Sequence, residues 1–92
     1  MKYKTLDQIH TEAMRDAEYR AAYEAEEALE QFQETLHGWR AEAGLTSAEV
    51  AEHMGINSPT LSRMEKNATK MSYETLCRYA RACGVNFRLQ QI

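Results

Sequence analysis

One helical stripe constrains this chain more than any other feature of its sequence. Apolar residues recur at alternating steps of three and four, the period of one helix face, at Ala22, Ala25, Leu29, Phe32, Leu36, Trp39 and Ala43. Gly44 then supplies a stop signal. At a rise of about 1.5 Å per residue such a helix is about 40 Å long. Because 92 residues bury only one modest core, we expect its N-terminal half to project or to pack on a partner.

The charge of the chain is divided between two parts. Residues 1–33 hold four basic and eight acidic residues, a net charge of −4, while residues 34–92 hold seven basic and six acidic residues, a net charge of +1. The overall charge of −3 argues against a simple nucleic-acid binder. The asymmetry, however, indicates that the two parts face different partners.

Composition and residue spacing argue against several classes of protein. No long apolar run is present, so we expect neither a membrane span nor a signal peptide, and we expect a cytoplasmic protein. Cys77 and Cys83 are six residues apart on different helix faces, which fits small core residues better than a thiol pair. His10, His37 and His53 are scattered, so no metal or other cofactor is expected. No catalytic set of residues occurs at a usable spacing, and we therefore expect no enzyme activity.

Helix-capping signals divide the rest of the chain into short elements. Thr5 and Gln8 form a capping box for a helix over about Leu6–Arg15, and Asp16 can cap the long helix. Three short helices are then predicted after Gly44. Their signals are a capping box at Thr46 and Glu49, a stop at Gly55, Pro59 in a first turn, a cap at Ser72 and a stop at Gly84.

The tail, residues 85–92, changes period. Val85, Phe87 and Leu89 alternate with polar residues, as in a half-buried strand. A single strand is not stable alone, so we expect this one to pair with its copy in a second chain or with another partner.

Residues 45–67 carry the steric pattern of a helix-turn-helix. Ala51 is small enough for two helices to cross closely, and Gly55 gives the backbone freedom that a tight turn needs. Apolar side chains are spaced to fill the wedge between the helices, at Val50, Met54, Ile56, Leu61 and Met64.

A helical wheel separates two faces of the second helix in this motif. Leu61, Met64 and Glu65 fall on the inward side. The outward side is available to a DNA major groove and carries Pro59, Ser62, Arg63 and Lys66. Basic faces also occur on solvated helices outside DNA-binding proteins. Arg63 and Lys66 could therefore also be ordinary solvated surface residues, and this alternative stays open.

These residues resemble a known family. Residues 34–84 resemble the five-helix DNA-binding domain of the lambda and Cro type repressors, the XRE family. The tail Gly-Val-Asn-Phe-Arg-Leu at residues 84–89 is similar to the C-terminal strand of HipB-like and HigA-like antitoxins, and residues 14–23 resemble the leader of HigA-type antitoxins. The resemblance implies an all-α fold with an acidic N-terminal helical extension over residues 1–33, a helix-turn-helix domain over 34–84 and a dimerisation strand over 85–92. Dimer contacts would come from Val85, Phe87 and Leu89.

The resemblance also implies a set of DNA-binding positions. Ser47 and Ser58 stand where many relatives carry a phosphate-binding and a base-reading glutamine, so the operator sequence is not predicted. Arg63 matches a base-contacting position and its fork suits guanine. Asn57 matches a phosphate-binding position, and Asn67 replaces a glycine in a left-handed conformation that asparagine tolerates. The complete expected set is Ser47, Asn57, Ser58, Pro59, Thr60, Ser62, Arg63 and Lys66.

One ion pair is expected beneath the second helix of the motif, the helix that would enter the DNA groove. Arg40 borders the buried stripe, and Glu65 was placed inward by the wheel. Phage repressors pair an arginine with a glutamate at these matching positions. We therefore expect a partly buried Arg40–Glu65 salt bridge.

The resemblance implies an antitoxin that binds operator DNA as a homodimer, represses its own operon and neutralises a RelE/HigB-like ribonuclease toxin. Such toxins are expected to be basic because they bind RNA, and the net negative charge of residues 1–33 would complement their surface. A phage or host repressor without a toxin is the alternative, and a scaffold that does not bind DNA also remains open. No membrane partner is expected.

Overall fold

The computed structural model describes residues 5–92. Within this range the chain forms five α-helices and one short 3₁₀ turn and contains no strand. The elements are α1 (Leu6–Ala13), α2 (Ala17–Ala43), α3 (Ser47–Met54), α4 (Ser58–Lys66), the 3₁₀ turn (Ala68–Lys70) and α5 (Tyr73–Ala82). No helix in this range is both long and apolar enough to cross a bilayer. Residues 1–4 of the predicted extension, including Lys2 and Lys4 of its charge count, lie outside the described residues.

The predicted helix starts are confirmed. Capping boxes open α1 at Thr5 and α3 at Thr46. Asp16 caps α2 by accepting a hydrogen bond from the Tyr19 amide at 3.0 Å, and Ser72 caps α5. Each cap satisfies an amide at the open end of a helix, so local chemistry alone determines where these helices begin.

The helix ends follow the predictions at two glycines and depart from them at Asn67. Gly44 and Gly55 end α2 and α3 in the left-handed region, with φ values of 68° and 71°. Asn67 was expected to be left-handed as well, but its φ is −113°. The reason is the 3₁₀ turn that follows α4 directly: the Lys70 amide donates to the Asn67 carbonyl at 2.9 Å, and this path needs no positive φ.

The core lies where α3, α4 and α5 surround the C-terminal half of α2. It consists of Leu36, Val50, Ala51, Met54, Leu61, Ala68, Tyr79, Ala80 and Cys83. Ile56 and Met64 are partly buried against it. Cys83 is buried and Cys77 half-buried, and both thiols are free. Truncating a fully buried leucine such as Leu36 to alanine would cost about 2–5 kcal/mol.

Residues 5–28, which we call the arm, extend away from this core. The molecule measures 58 × 29 × 21 Å, and α2 is exposed from Ala17 to Ala28 except at Tyr23. Helix α1 has no buried residue and folds back along the start of α2. The His10 ring lies 4.6 Å from the Tyr23 ring between centroids, and His10 Nδ1 is 3.3 Å from the Tyr19 hydroxyl. The N-terminal half of α2 therefore projects, as its length predicts.

The expected C-terminal strand, residues 85–92, is not formed. Strands exist through ladder hydrogen bonds to other strands, and the described part of this chain offers only helices. The Val85 amide instead donates to the Ala80 carbonyl at 2.8 Å. The Phe87 ring packs against Trp39 at 5.4 Å between centroids, whereas Leu89 is 77% exposed. The alternation therefore marks the contacts of Val85 and Phe87 but does not extend to Leu89.

Candidate nucleic-acid interface

Helix α4 has one buried face and one exposed face. Asn57 caps it by accepting a hydrogen bond from the Thr60 amide at 2.8 Å, and Pro59 lies in the first turn. Leu61 is fully buried and Glu65 is 9% exposed. The opposite face is exposed and carries Pro59, Ser62, Arg63 and Lys66. Two cations and a hydroxyl therefore share one open helix surface.

The structure brings most of the expected DNA-binding residues to this surface. Asn57 and Ser58 are exposed at the N-terminal end of α4, where Asn57 already caps the Thr60 amide and Pro59 has no N–H. Thr60 is half-buried, since it lies closer to the packed side of the helix. Ser47 belongs to a different element, because it is the first residue of α3 and is half-buried there.

A buried carboxylate lies directly behind the exposed face. Glu65 Oε2 is 3.0 Å from His37 Nε2, and Glu65 Oε1 accepts a hydrogen bond from the Tyr79 hydroxyl at 3.2 Å. Arg40 Nη1 lies 3.8 Å from the same Oε1 atom, so the expected Arg40–Glu65 pair is present as the longest of the three contacts. Helices α2, α4 and α5 are joined at this carboxylate.

Sequence reasoning missed His37 and Tyr79 as partners of Glu65. His37 precedes Arg40 by three residues, a spacing that places both on one side of α2 and could have drawn attention to it. A buried tyrosine hydroxyl needs a hydrogen-bond partner, but the sequence does not indicate which one.

The surroundings of Glu65 keep the Tyr79 hydroxyl and the nearby Cys83 thiol protonated. Burial raises the pKa of the Tyr79 hydroxyl far above its ordinary value, and the neighbouring Glu65 carboxylate raises it further. Burial also raises the pKa of the Cys83 thiol, against an opposing effect of Arg40. Tyr79 therefore remains a hydrogen-bond donor to Glu65, and Cys83 remains an uncharged packing residue.

A second contact missed from the sequence joins α2 to the end of α4. Gln33 Nε2 donates to the backbone carbonyls of Glu65 at 2.9 Å and Lys66 at 3.3 Å. The C-terminal half of α2 thus holds both the side chain and the backbone of the last turn of α4.

Among the described residues no group of three or more potential metal ligands occurs.

Comparison with known proteins gives one family match. Residues 31–88 match the family model described as a helix-turn-helix domain, which covers the C-terminal half of α2, α3, α4, α5 and the start of the tail. Two curated relatives are both named antitoxin HigA1, from Mycobacterium tuberculosis strains CDC 1551/Oshkosh and ATCC 25618/H37Rv. Each is 34% identical over 74 residues, which are 80% of this chain and 50% of the relative. The chain therefore spans about half the length of these relatives. No solved structure gives a significant match.

Proposed function

Because the chain belongs to the helix-turn-helix domain family, we propose that it binds double-stranded operator DNA through α4 and acts as a HigA-type antitoxin that represses its own operon. The observation that carries the DNA-binding part is the exposed face of α4. Arg63 and Lys66 extend from it, while the opposite side of the helix is fixed in the core at Leu61 and Glu65. A rigid helix with one open basic face fits a major groove.

The residues of this surface have different tasks in the proposed complex. Arg63 has a planar fork that pairs with two acceptors of a guanine, so it reads sequence. Lys66 binds phosphate as a point charge and carries no sequence information. Asn57 and Ser58 hold a phosphate at the positive end of the helix dipole. Ser47 at the start of α3 offers a second phosphate contact.

The test of DNA binding is a selection from a random-sequence pool of duplex DNA with the full chain. We expect enrichment of one palindromic sequence, and binding of that duplex should be far tighter than binding of a scrambled duplex of the same composition. Absence of enrichment, or equal affinity for both duplexes, would contradict the proposal.

We further propose that the chain acts as a homodimer with contacts in the tail, residues 85–92. Leu89 and Ile92 are exposed apolar side chains there, and Tyr73 beside Phe87 is 57% exposed. A second copy would cover this apolar surface and would place two α4 helices about one helical turn apart on a palindrome.

The arm is the proposed toxin-binding part. Its described residues include three exposed large apolar side chains, which are Leu6 and Ile9 on α1, 86% and 50% exposed, and Tyr19 on α2, 41% exposed. Residues 1–33 contain eight acidic residues, and their charge complements a basic ribonuclease. The two curated relatives are named antitoxins, which supports this assignment.

A repressor without a toxin partner is the second candidate. The observation in its favour is that the family match begins at residue 31, after the arm, so it says nothing about the arm. Co-expression with the product of the adjacent reading frame separates the two candidates. An antitoxin should co-purify with it and rescue growth, and Leu6→Ser with Ile9→Ser should abolish both effects. The control Glu52→Ser, at an exposed position of α3 outside both the arm and the tail, should keep them.

A further inference from the structure

The C-terminal end of α4 is built differently from the ends of α2 and α3. The last carbonyls of a helix have no partner within it and need donors from elsewhere. At α2 and α3 a left-handed glycine turns its own amide back to the preceding turn. At α4 the cap residue Asn67 is not left-handed, and its amide donates to Arg63. This bond does not reach the carbonyls of Glu65 and Lys66, which accept from other donors.

Those donors come from a side chain of another helix. Gln33 Nε2 lies 2.9 Å from the Glu65 carbonyl and 3.3 Å from the Lys66 carbonyl, and Gln33 is half-buried on α2. One amide group thus caps two adjacent carbonyls across a sequence separation of 32 and 33 residues. We propose that Gln33 is a positioning residue for DNA recognition, which fixes the last turn of α4 and with it the direction of Arg63. This inference rests on the proposed function, since it takes α4 to be the recognition helix.

The two ends of α4 explain why this contact matters for base reading. The N-terminal end is capped locally by Asn57, so it keeps its shape wherever the helix points. The C-terminal end is fixed to α2 through the backbone contact of Gln33 and the side-chain contact of His37 with Glu65. Without Gln33 the last turn can tilt or fray. A two-bond contact of Arg63 with a guanine tolerates little displacement, while a flexible lysine still reaches a phosphate.

The experiment compares four variants with the wild type, all as full chains. Gln33→Glu keeps the shape of the side chain but directs a carboxylate oxygen at two carbonyl oxygens, and Gln33→Met removes the donor without adding charge. Gln31→Glu is the matched control, because Gln31 is exposed on the same helix and undergoes the same change of charge. Gln33→Lys is the rescue variant, since its ammonium restores N–H donors at a similar reach.

The probes are a duplex selected by the wild-type chain from a random-sequence pool and a scrambled duplex of the same composition. Affinities are measured at a temperature where circular dichroism shows every variant folded. For Gln33→Glu and Gln33→Met we expect about tenfold weaker binding of the selected duplex, as follows from the loss of one or two hydrogen bonds. Binding of the scrambled duplex should change less than about twofold, because it depends on phosphate contacts. Gln31→Glu and Gln33→Lys should keep the wild-type ratio of the two affinities.

The outcomes separate this inference from the proposed function. If the wild-type chain enriches no sequence, DNA recognition itself fails and the positioning role fails with it. If it enriches one but Gln33→Met keeps the wild-type ratio, only the positioning role is overturned. A loss shared equally by both duplexes, with a lower melting temperature, would show a purely structural role and would likewise overturn it.

Discussion

Replacing Glu65 by leucine should destabilise the fold more than replacing Arg40 by methionine. The Arg40–Glu65 contact spans 3.8 Å, and the two side chains are 22% and 11% exposed. At an effective dielectric constant of about 20, two charges at this distance attract by about 4 kcal/mol before desolvation is counted. Exposed pairs retain about 0–1 kcal/mol of such an attraction, and breaking deeply buried ones costs about 3–5 kcal/mol. For this partly exposed pair we expect a coupling energy of about 1 kcal/mol.

Glu65 has further partners that Arg40 does not share. Its removal deprives the Tyr79 hydroxyl of an acceptor at 3.2 Å and His37 of one at 3.0 Å. Tyr79 is fully buried, and the long contact of its hydroxyl with the Leu36 carbonyl at 3.4 Å would remain, so we expect this loss to cost about 1 kcal/mol, the lower end of the range for an unsatisfied buried donor. We therefore expect Glu65→Leu to lower the free energy of unfolding by about 2–3 kcal/mol and Arg40→Met by about 1 kcal/mol.

The assay is urea unfolding of the wild type, both single variants and the double variant, followed by far-UV circular dichroism at neutral pH. Glu42→Leu on the exposed side of α2 is the control for loss of a carboxylate, and it should leave stability within about 0.5 kcal/mol. A coupling energy near zero would refute the ion pair. A value above about 3 kcal/mol would refute the argument that its length and exposure weaken it.

Three further predictions concern DNA, assembly and pH. In filter binding, Arg63→Ala should weaken binding of the selected duplex by about 1–3 kcal/mol, while Lys66→Ala should weaken binding of all duplexes alike. The control Arg81→Ala on α5 should change neither affinity. Unaltered specific binding by Arg63→Ala would contradict the placement of α4 in the major groove. Truncation before residues 85–92 should give monomers in sedimentation equilibrium; a dimer would place the interface elsewhere, with α2 as the first candidate. Folding raises the pKa of Tyr79, so the stabilisation of the fold by its protonated hydroxyl is complete below about pH 10 and is lost at higher pH. In unfolding measurements the free energy of unfolding should therefore decline above this pH, and the decline should be smaller in Tyr79→Phe.

The helix boundaries could be predicted from the sequence because each depends on contacts within one turn. The Thr5 cap bonds to an amide three residues away, and Gly44 ends α2 through its own backbone conformation. The tail and Asn67 could not be predicted in this way. A strand requires a second strand, and the cap at Asn67 depends on the 3₁₀ turn after it. In both cases the deciding partner lies outside the local pattern.

The same distinction between local and distant contacts applies to the candidate site. A helical wheel suffices to place Arg63 outward and Glu65 inward, since both follow from a fixed rotation per residue. The partners of Glu65 are 14 residues away at Tyr79 and 28 residues away at His37, and Gln33 is 32 residues away. Which of these side chains contacts the carboxylate or the backbone of Glu65 depends on the angles at which α2, α4 and α5 cross. No periodic pattern in the sequence encodes these crossing angles.

The length of α2 reconciles DNA binding with a chain of net charge −3. Gln33 of α2 contacts the last turn of α4, and Glu18 lies 15 residues before it, which is about 22 Å along a helix axis. The Debye length at physiological salt is about 8 Å, so the negative charge at the start of α2 is largely screened before it reaches the face of Arg63. A chain of the same composition folded into a sphere would hold these charges much closer to the DNA. The projecting helix thus keeps an acidic surface and a basic surface on one small molecule, and each remains available to a partner of opposite charge.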